Sequence, residues 1–193
     1  MDCRDTHPSM RLVRPAPEHL ESYVAALGRG WSPDNERAAA GQEELLRVRD
    51  DPVAFLGSME DREANGPAVT LPDGTRVPRL PGIRRWMWDG AFAGSIGFRW
   101  QPGSPALPPH CLGHIGYAVV PWKQGRGYAK AALRAILQEA RAVDLPYVEI
   151  TADAANVASQ RVIDSAGGVL HERFRKPAAF GGGEALRYRI ALA

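Results

Sequence analysis

The sequence predicts a mixed α/β protein in which helices pack on the faces of a sheet. Two element orders and one turn carry that expectation. Residues 10–100 read β–α–α–β–β, and residues 112–191 read β–α–β–α–β–β. Inside the first half, Asp89-Gly90 stands between two apolar runs, a strong short-range hairpin signal. Elements in such an order bury their apolar faces as layers around a sheet.

Taken along the chain, residues 10–14 read as a short strand that Pro15 ends. Leu20, Tyr23, Val24 and Leu27 lie at i, i+3, i+4 and i+7 and predict a helix over 18–27. Gly28 is its expected stop. A second helix is expected over 36–48, anchored by Leu45, Leu46 and Val48 and broken at Asp51-Pro52. Residues 65–82 read as loop, with turn signals at Asn65-Gly66-Pro67 and Pro72-Asp73-Gly74. The short runs 69–71 and 75–77 flank the second turn and suit a small hairpin. Strands are expected over 84–88 and 91–100. Prolines 102, 105, 108 and 109 make 101–110 an irregular connection. A strand over 112–120 stops at Pro121. The strongest helix, 127–142, carries an apolar face of Ala131, Leu133, Ile136, Leu137 and Ala140. A strand over 147–152, a helix over 156–166 ended by Gly167-Gly168, and strands over 169–174 and 185–191 complete the chain.

At 193 residues, one domain over 1–193 is the expectation, with 1–9 as a flexible N-terminal tail. Lys plus Arg is 24 against 22 for Asp plus Glu, and no basic cluster is long enough for nucleic acid. Arg173, Arg175 and Lys176 read as a solvated face. Cys3 and Cys111 match no metal-ligand spacing, so no metal is expected. No run approaches the roughly 18 apolar residues of a membrane span. The first ten residues have no apolar signal-peptide core. A cytoplasmic protein with no membrane partner is the expectation.

The segment 114–129 is the most informative. A strand runs into a loop, Lys123-Gln124-Gly125-Arg126-Gly127, that opens the long helix. A helix start has free N–H groups and the positive end of the helix dipole, which suit a phosphate or pyrophosphate. Gly125 and Gly127 allow close approach of a ligand to the backbone. Lys123 and Arg126 add positive charge. These features alone leave an anion site and a purely structural turn both open. The patterns GxxxxGK[ST] and GxGxxG are absent, which argues against the common nucleotide and dinucleotide loops.

Gln124-Gly125-Arg126-Gly127-Tyr128-Ala129 resembles the coenzyme A motif of the GNAT superfamily, Gln or Arg, two residues, Gly, one residue, then Gly or Ala. Downstream, Asn156-Val157-Ala158-Ser159 resembles the family's Asn-x-x-Ala/Ser helix start. The resemblance covers 84–174 in detail. It is strongest to a bacterial branch with a Gly-His-Ile-Gly-Tyr strand. It implies the GNAT acyl-CoA N-acyltransferase fold, α+β, with a central mixed, mostly antiparallel sheet flanked by helices. It also implies acetyl-CoA as acyl-donor substrate. The backbone of Tyr117, Ala118, Val119 and Val120 would pair with the pantetheine arm, as a peptide-like ligand adds a strand to a sheet edge. Gln124, Gly125, Arg126, Gly127, Tyr128 and Ala129 would hold the pyrophosphate, and Asn156 and Ser159 would face the arm. Asn156 is also read as a helix N-cap. Contacts between C-terminal strands in the family imply a homodimer.

The implied reaction is direct attack of a primary amine, on a small molecule or a peptide or protein, on the thioester. A base or water must first take a proton from the ammonium. Glu149 is the first choice, two residues from the position, Thr151, where some members carry a carboxylate. An exposed strand Glu remains the plain alternative. A Glu on the preceding strand, used by other members, is replaced by Gly113. The tyrosine of the Asn156 helix that serves the leaving group elsewhere is replaced by Ile163. Ser159, water or a tyrosine from elsewhere must then serve. These departures leave open a non-catalytic GNAT-like module that binds coenzyme A as a sensor or structural ligand. Trp86 and Trp88 share one strand face and suit either the core or an acceptor wall. His114 is read as a core residue.

Overall fold

A computed structural model describes residues 10–35, 37–71 and 74–192. The expected N-terminal tail with Cys3, the helix start at Glu36 and the turn residues Pro72 and Asp73 lie outside the described residues. The elements are β1 (Arg11–Val13), α1 (Leu20–Gly28), α2 (Ala39–Asp50), α3 (Pro52–Gly57), β2 (Glu60–Asp61), β3 (Val69–Thr70), β4 (Arg76–Val77), β5 (Gly82–Trp88), β6 (Phe92–Arg99), β7 (Ile115–Val119), α4 (Tyr128–Arg141), β8 (Tyr147–Asp153), α5 (Val157–Asp164), β9 (Val169–Arg175) and β10 (Glu184–Ala191).

The sheet is divided. One part orders its strands β1-β5-β6-β7, with β2 added to the end of β5, and the other orders them β8-β10-β9. Every ladder within the two parts is antiparallel. The parts adjoin at β7 and β8, which are connected through α4. Among the described residues a single backbone hydrogen bond joins them, from the His114 N–H to the Glu149 carbonyl at 2.7 Å. The Glu149 N–H returns a bond of 2.9 Å to His114 Nδ1. The Thr151 hydroxyl donates to the Leu112 carbonyl beside this joint.

Two apolar cores hold the layers. Ile96, Phe98 and Ile115 pack with Leu133, Ile136 and Leu137 of α4 and with Val148, Ile150 and Ile190 of the second sheet. This cluster spans both sheets and keeps them together where backbone pairing is absent. On the opposite face Trp86, Phe92, Ala118 and Val120 pack under Tyr23, Leu27, Trp31, Leu45 and Phe55. Tyr23 stacks on Trp86 with ring centroids 4.3 Å apart. Trp86 is fully buried, so it belongs to the core rather than to an acceptor wall. Trp88 lies against His19 at 4.5 Å.

Several expectations need correction. Asp51-Pro52 ends α2 but also starts α3: the Asp51 carboxylate accepts the Ala54 N–H at 2.8 Å, and Pro52 takes the first helical position. Such a cap followed by Pro is a start signal as much as a stop. The buried face of α4 includes Ala132, while Ala131 is exposed. Leu46 of α2 is exposed, whereas Glu44 is buried. The hairpin of β3 and β4 and the irregular connection at 102–110 form as expected. No helix among the described residues is long and apolar enough to cross a membrane.

The His114 joint carries a pH dependence. Its imidazole is fully buried. Burial pushes its pKa down to about 4, against the pull of the Glu149 charge and with a smaller push from Arg99. The unfolded chain binds the proton from an ordinary 6.5, so stability rises with pH between 4 and 6.5 and is lost as pH falls through that window. The contribution is at most about 3 kcal/mol. Urea unfolding at pH 7 and pH 4.5 of wild type and His114→Gln tests this. The stability difference between the two proteins is expected to shrink at the lower pH; a constant difference contradicts the assignment.

Candidate active site

Beyond the His114 joint, β7 and β8 share no backbone hydrogen bond among the described residues. The joint thus opens into a wedge. β7 spends its even-numbered residues on β6: the His114 carbonyl accepts from Arg99 at 2.9 Å, and the Val120 N–H donates to Ala93 at 3.0 Å. By the alternation of an antiparallel ladder, Ile115, Tyr117 and Val119 turn their backbone groups outward, into the wedge. Two of those carbonyls have side-chain partners. Asn35 Nδ2 donates to Tyr117 O at 3.1 Å, and Gln124 Nε2 to Val119 O at 3.4 Å.

The wedge leads to the start of α4. Gly125 and Gly127 have φ of 75° and 79°, a left-handed backbone that glycine adopts without strain. The first bond inside the helix runs from Ala131 N–H to Gly127 O, and no side chain caps the N-terminus. The N–H groups of Tyr128, Ala129 and Lys130 precede that bond and point out of the helix end. Lys123 is committed elsewhere: its ammonium lies 2.6 Å from Asp89, which also accepts from the Tyr128 hydroxyl at 2.7 Å. Burial works to raise the Asp89 pKa, but these two partners prevail and hold it below the usual carboxylate range. Gly94, at φ 150°, allows β6 to approach β7, since a Cβ there would lie 2.4 Å from Ala118 O.

Across the wedge, α5 supplies Asn156 and Ser159. Asn156 caps α5, its side-chain oxygen accepting the Ser159 N–H at 3.0 Å. The Ser159 hydroxyl lies 2.8 Å from the hydroxyl of Tyr117. Burial pushes the Tyr117 pKa above its ordinary 10.0, partly offset by the bond to Ser159. Ile163 is fully buried in the core. A hydroxyl pair from β7 and α5 therefore stands at the wedge, while position 163 faces away from it.

These elements bound one large cleft of about 1250 Å³. Its walls include Tyr117, Ala118, Val119, Gln124, Gly125, Gly127, Tyr128, Ala129, Asn156 and Ser159. Two residues expected at a cofactor lie off the walls. Val120 is fully buried and its N–H is bound to Ala93. Arg126 is exposed and stands beside the Tyr128 hydroxyl. Glu149, expected as the base, lies off the walls as well. Its carboxylate is held by Arg189 at 3.0 Å and approached by Arg187 at 3.8 Å. Two guanidiniums from β10 claim the charge that a base would need.

The sequence reading missed the other end of the cleft. Arg84, Ser95, Gly97, Arg99, His110 and Gly116 line it there, with Glu44 of α2. Glu44 accepts from Tyr23 and from Arg84, the latter at 2.6 Å. The period-two alternation of β6 carries the signal: Ile96, Phe98 and Trp100 go to one core, which leaves Ser95, Gly97 and Arg99 for the opposite face. No group of three His, Cys, Asp or Glu among the described residues could hold a metal.

Against known proteins, a family model described as an acetyltransferase (GNAT) domain matches residues 10–169. No curated protein matches by sequence. Among solved structures, the ribosomal L7/L12 α-N-protein acetyltransferase RimL in complex with coenzyme A superposes with a TM-score of 0.63 at 15% identity, over 95% of this chain and 94% of that one. The microcin C7 self-immunity acetyltransferase MccE, in complex with acetyl-CoA and AMP, gives 0.61 at 12% identity, over 94% and 92%. An acetyl transferase from Salmonella typhimurium that modifies the N-terminal serine of L7/L12 gives 0.60 at 16%, over 95% of each chain. At such identities the likeness to solved structures is one of fold, whereas the family match extends over most of the chain. The chain belongs to the GNAT family of acetyltransferases.

Proposed function

We propose that the wedge between β7 and β8 holds acetyl-CoA and that the protein transfers its acetyl group to a primary amine entering from the α1–α2 side. One observation carries the reading: the unpaired edge of β7 runs continuously to an uncapped helix N-terminus. An arm with amide groups fits the edge as an added strand, and a pyrophosphate fits the helix end. Gln124, Gly125, Gly127, Tyr128 and Ala129 would surround the phosphates, with Lys130 on the same wall. Asn35 now bonds to the Tyr117 carbonyl and would yield it to the arm.

When bound, acetyl-CoA supplies a thioester carbonyl. The Val119 N–H, turned into the wedge, donates to its oxygen as negative charge builds there. The amine nitrogen forms a bond to the carbonyl carbon as the carbon–sulfur bond breaks. The ammonium gives its proton to water in the open cleft, since the Glu149 carboxylate is spent on Arg189. The departing sulfur would take a proton from Tyr117, whose raised pKa keeps the hydroxyl protonated at neutral pH and which Ser159 orients, and the second proton shed by the new amide nitrogen would return through cleft water to the Tyr117 oxygen. Tyr117 thus fills from β7 the role that residue 163 cannot.

Two measurements test this. Calorimetric titration with acetyl-CoA, with ATP and NAD as controls, is expected to show selective binding that the variant Arg126→Glu, Gly127→Trp loses. Absence of binding to the intact protein sinks the reading. In Tyr117→Phe, kcat with an accepted amine is expected to fall about 100-fold or more, with KM for acetyl-CoA nearly unchanged. An unchanged kcat removes Tyr117 as the donor.

A further inference from the structure

The face of the first sheet that meets α1 and α2 is only partly covered. Trp86, Ser95 and Ala118 form one cross-strand row on it, and the helices pack over that row. The next row on the same face is Arg84, Gly97 and Gly116, directly opposite one another on β5, β6 and β7. A Cβ at Gly116 would meet nothing within 4 Å, and one at Gly97 only the Ile83 carbonyl at 3.7 Å. Two adjacent residues without side chains therefore leave a trough in the sheet, open to the cleft.

The C-terminal end of β6 and the N-terminal part of β5 bring guanidiniums to this trough. Arg84 stands beside Gly97, and Arg99 follows Gly97 by two residues on the same face, so it is a diagonal neighbour within reach of the same ligand. Arg84 gives one nitrogen to Glu44 and remains part of the cleft wall. Arg99 is exposed and lines the cleft, and although its backbone N–H is bound to His114, its guanidinium has no hydrogen bond or ion pair among the described residues. An arginine fork presents donors that match a planar or tetrahedral oxyanion. A trough without side chains, flanked by such a fork and located a few residues along β7 from Val119, is a place for the part of an acceptor remote from its amine.

We propose that the acceptor is an amine that also carries an oxyanion, a carboxylate or a phosphate, and that Arg99 with Arg84 binds this group over the Gly97–Gly116 trough. The proposal rests on the acetyltransferase reading of the same cleft. Neutral amines and polyamines lack the group that Arg99 is free to take.

The test uses protein saturated with coenzyme A, so that binding is read without turnover. Coenzyme A is titrated first; failure at that step sinks the acetyltransferase reading and this proposal with it. Binding of 4-aminobutyrate is then compared with butylamine, and phosphoethanolamine with ethanolamine, by calorimetry. At least one anionic amine is expected to bind tenfold or more tighter than its neutral partner. Arg99→Gln is expected to abolish that advantage while leaving coenzyme A affinity unchanged. Gly116→Val, which fills the trough, is expected to weaken the anionic amine by a similar factor. The carboxylate and phosphate arms show which oxyanion is preferred. Equal binding within both pairs, binding by neither pair, or an advantage that survives Arg99→Gln overturns the proposal while coenzyme A binding leaves the acetyltransferase reading standing.

Discussion

The structure turns on one joint. His114 and Glu149 exchange a backbone and a side-chain hydrogen bond, and these fasten the two halves of the sheet at a single level. Above that level the halves separate. Had the ladder continued, β7 would have spent Tyr117 and Val119 on β8, and no edge would remain for a ligand. An unpaired sheet edge in a protein interior is costly unless its N–H and C=O groups find partners. Asn35 and Gln124 supply two of them in the free protein.

The remainder of the fold keeps the wedge at a fixed opening. The core shared by α4, β6 and the second sheet crosses beneath it, so apolar packing replaces the missing backbone pairs. Charge does the same at the margin. Arg189 and Arg187 bind Glu149 next to the joint, and Lys123 with Tyr128 binds Asp89 below the α4 start. Arg85 ties Glu60 to Glu139 and so pins β2 and β5 to α4. Partly buried pairs of this type fix geometry more than they add stability. The first N–H groups of α4 and the Arg99 guanidinium, without a protein partner among the described residues, lie where a ligand can take them.

The order of elements was readable from residue pattern because apolar periodicity and turn dipeptides are local. The Asp89-Gly90 hairpin, the long α4 and the Asn156 cap all formed where their local chemistry placed them. The division of the sheet was not readable, since it depends on His114 meeting Glu149 from 35 positions away. Glu149 illustrates the same limit. Its residue type and strand position suggested a base, but its partners on β10 are set by register, which the sequence of β8 does not contain. β2 escaped notice for a related reason: two charged residues carry no strand pattern, and Glu60 is held by Arg14, Arg62 and Arg85. The far end of the cleft was partly legible, because alternation along β6 separates Arg99 from Phe98. Tyr117 stood in view as well, but its pairing with Ser159 required the wedge.

Hydrogen exchange of the backbone amides, with and without coenzyme A, tests the central claim most directly. An arm that adds to β7 and a pyrophosphate that caps α4 must slow exchange in two separate segments. The account predicts new protection at 115–119 and at 127–131, with little change in β9 and in α1. Protection confined to other segments, or none at either of these two at saturating coenzyme A, would contradict a cofactor seated in the wedge.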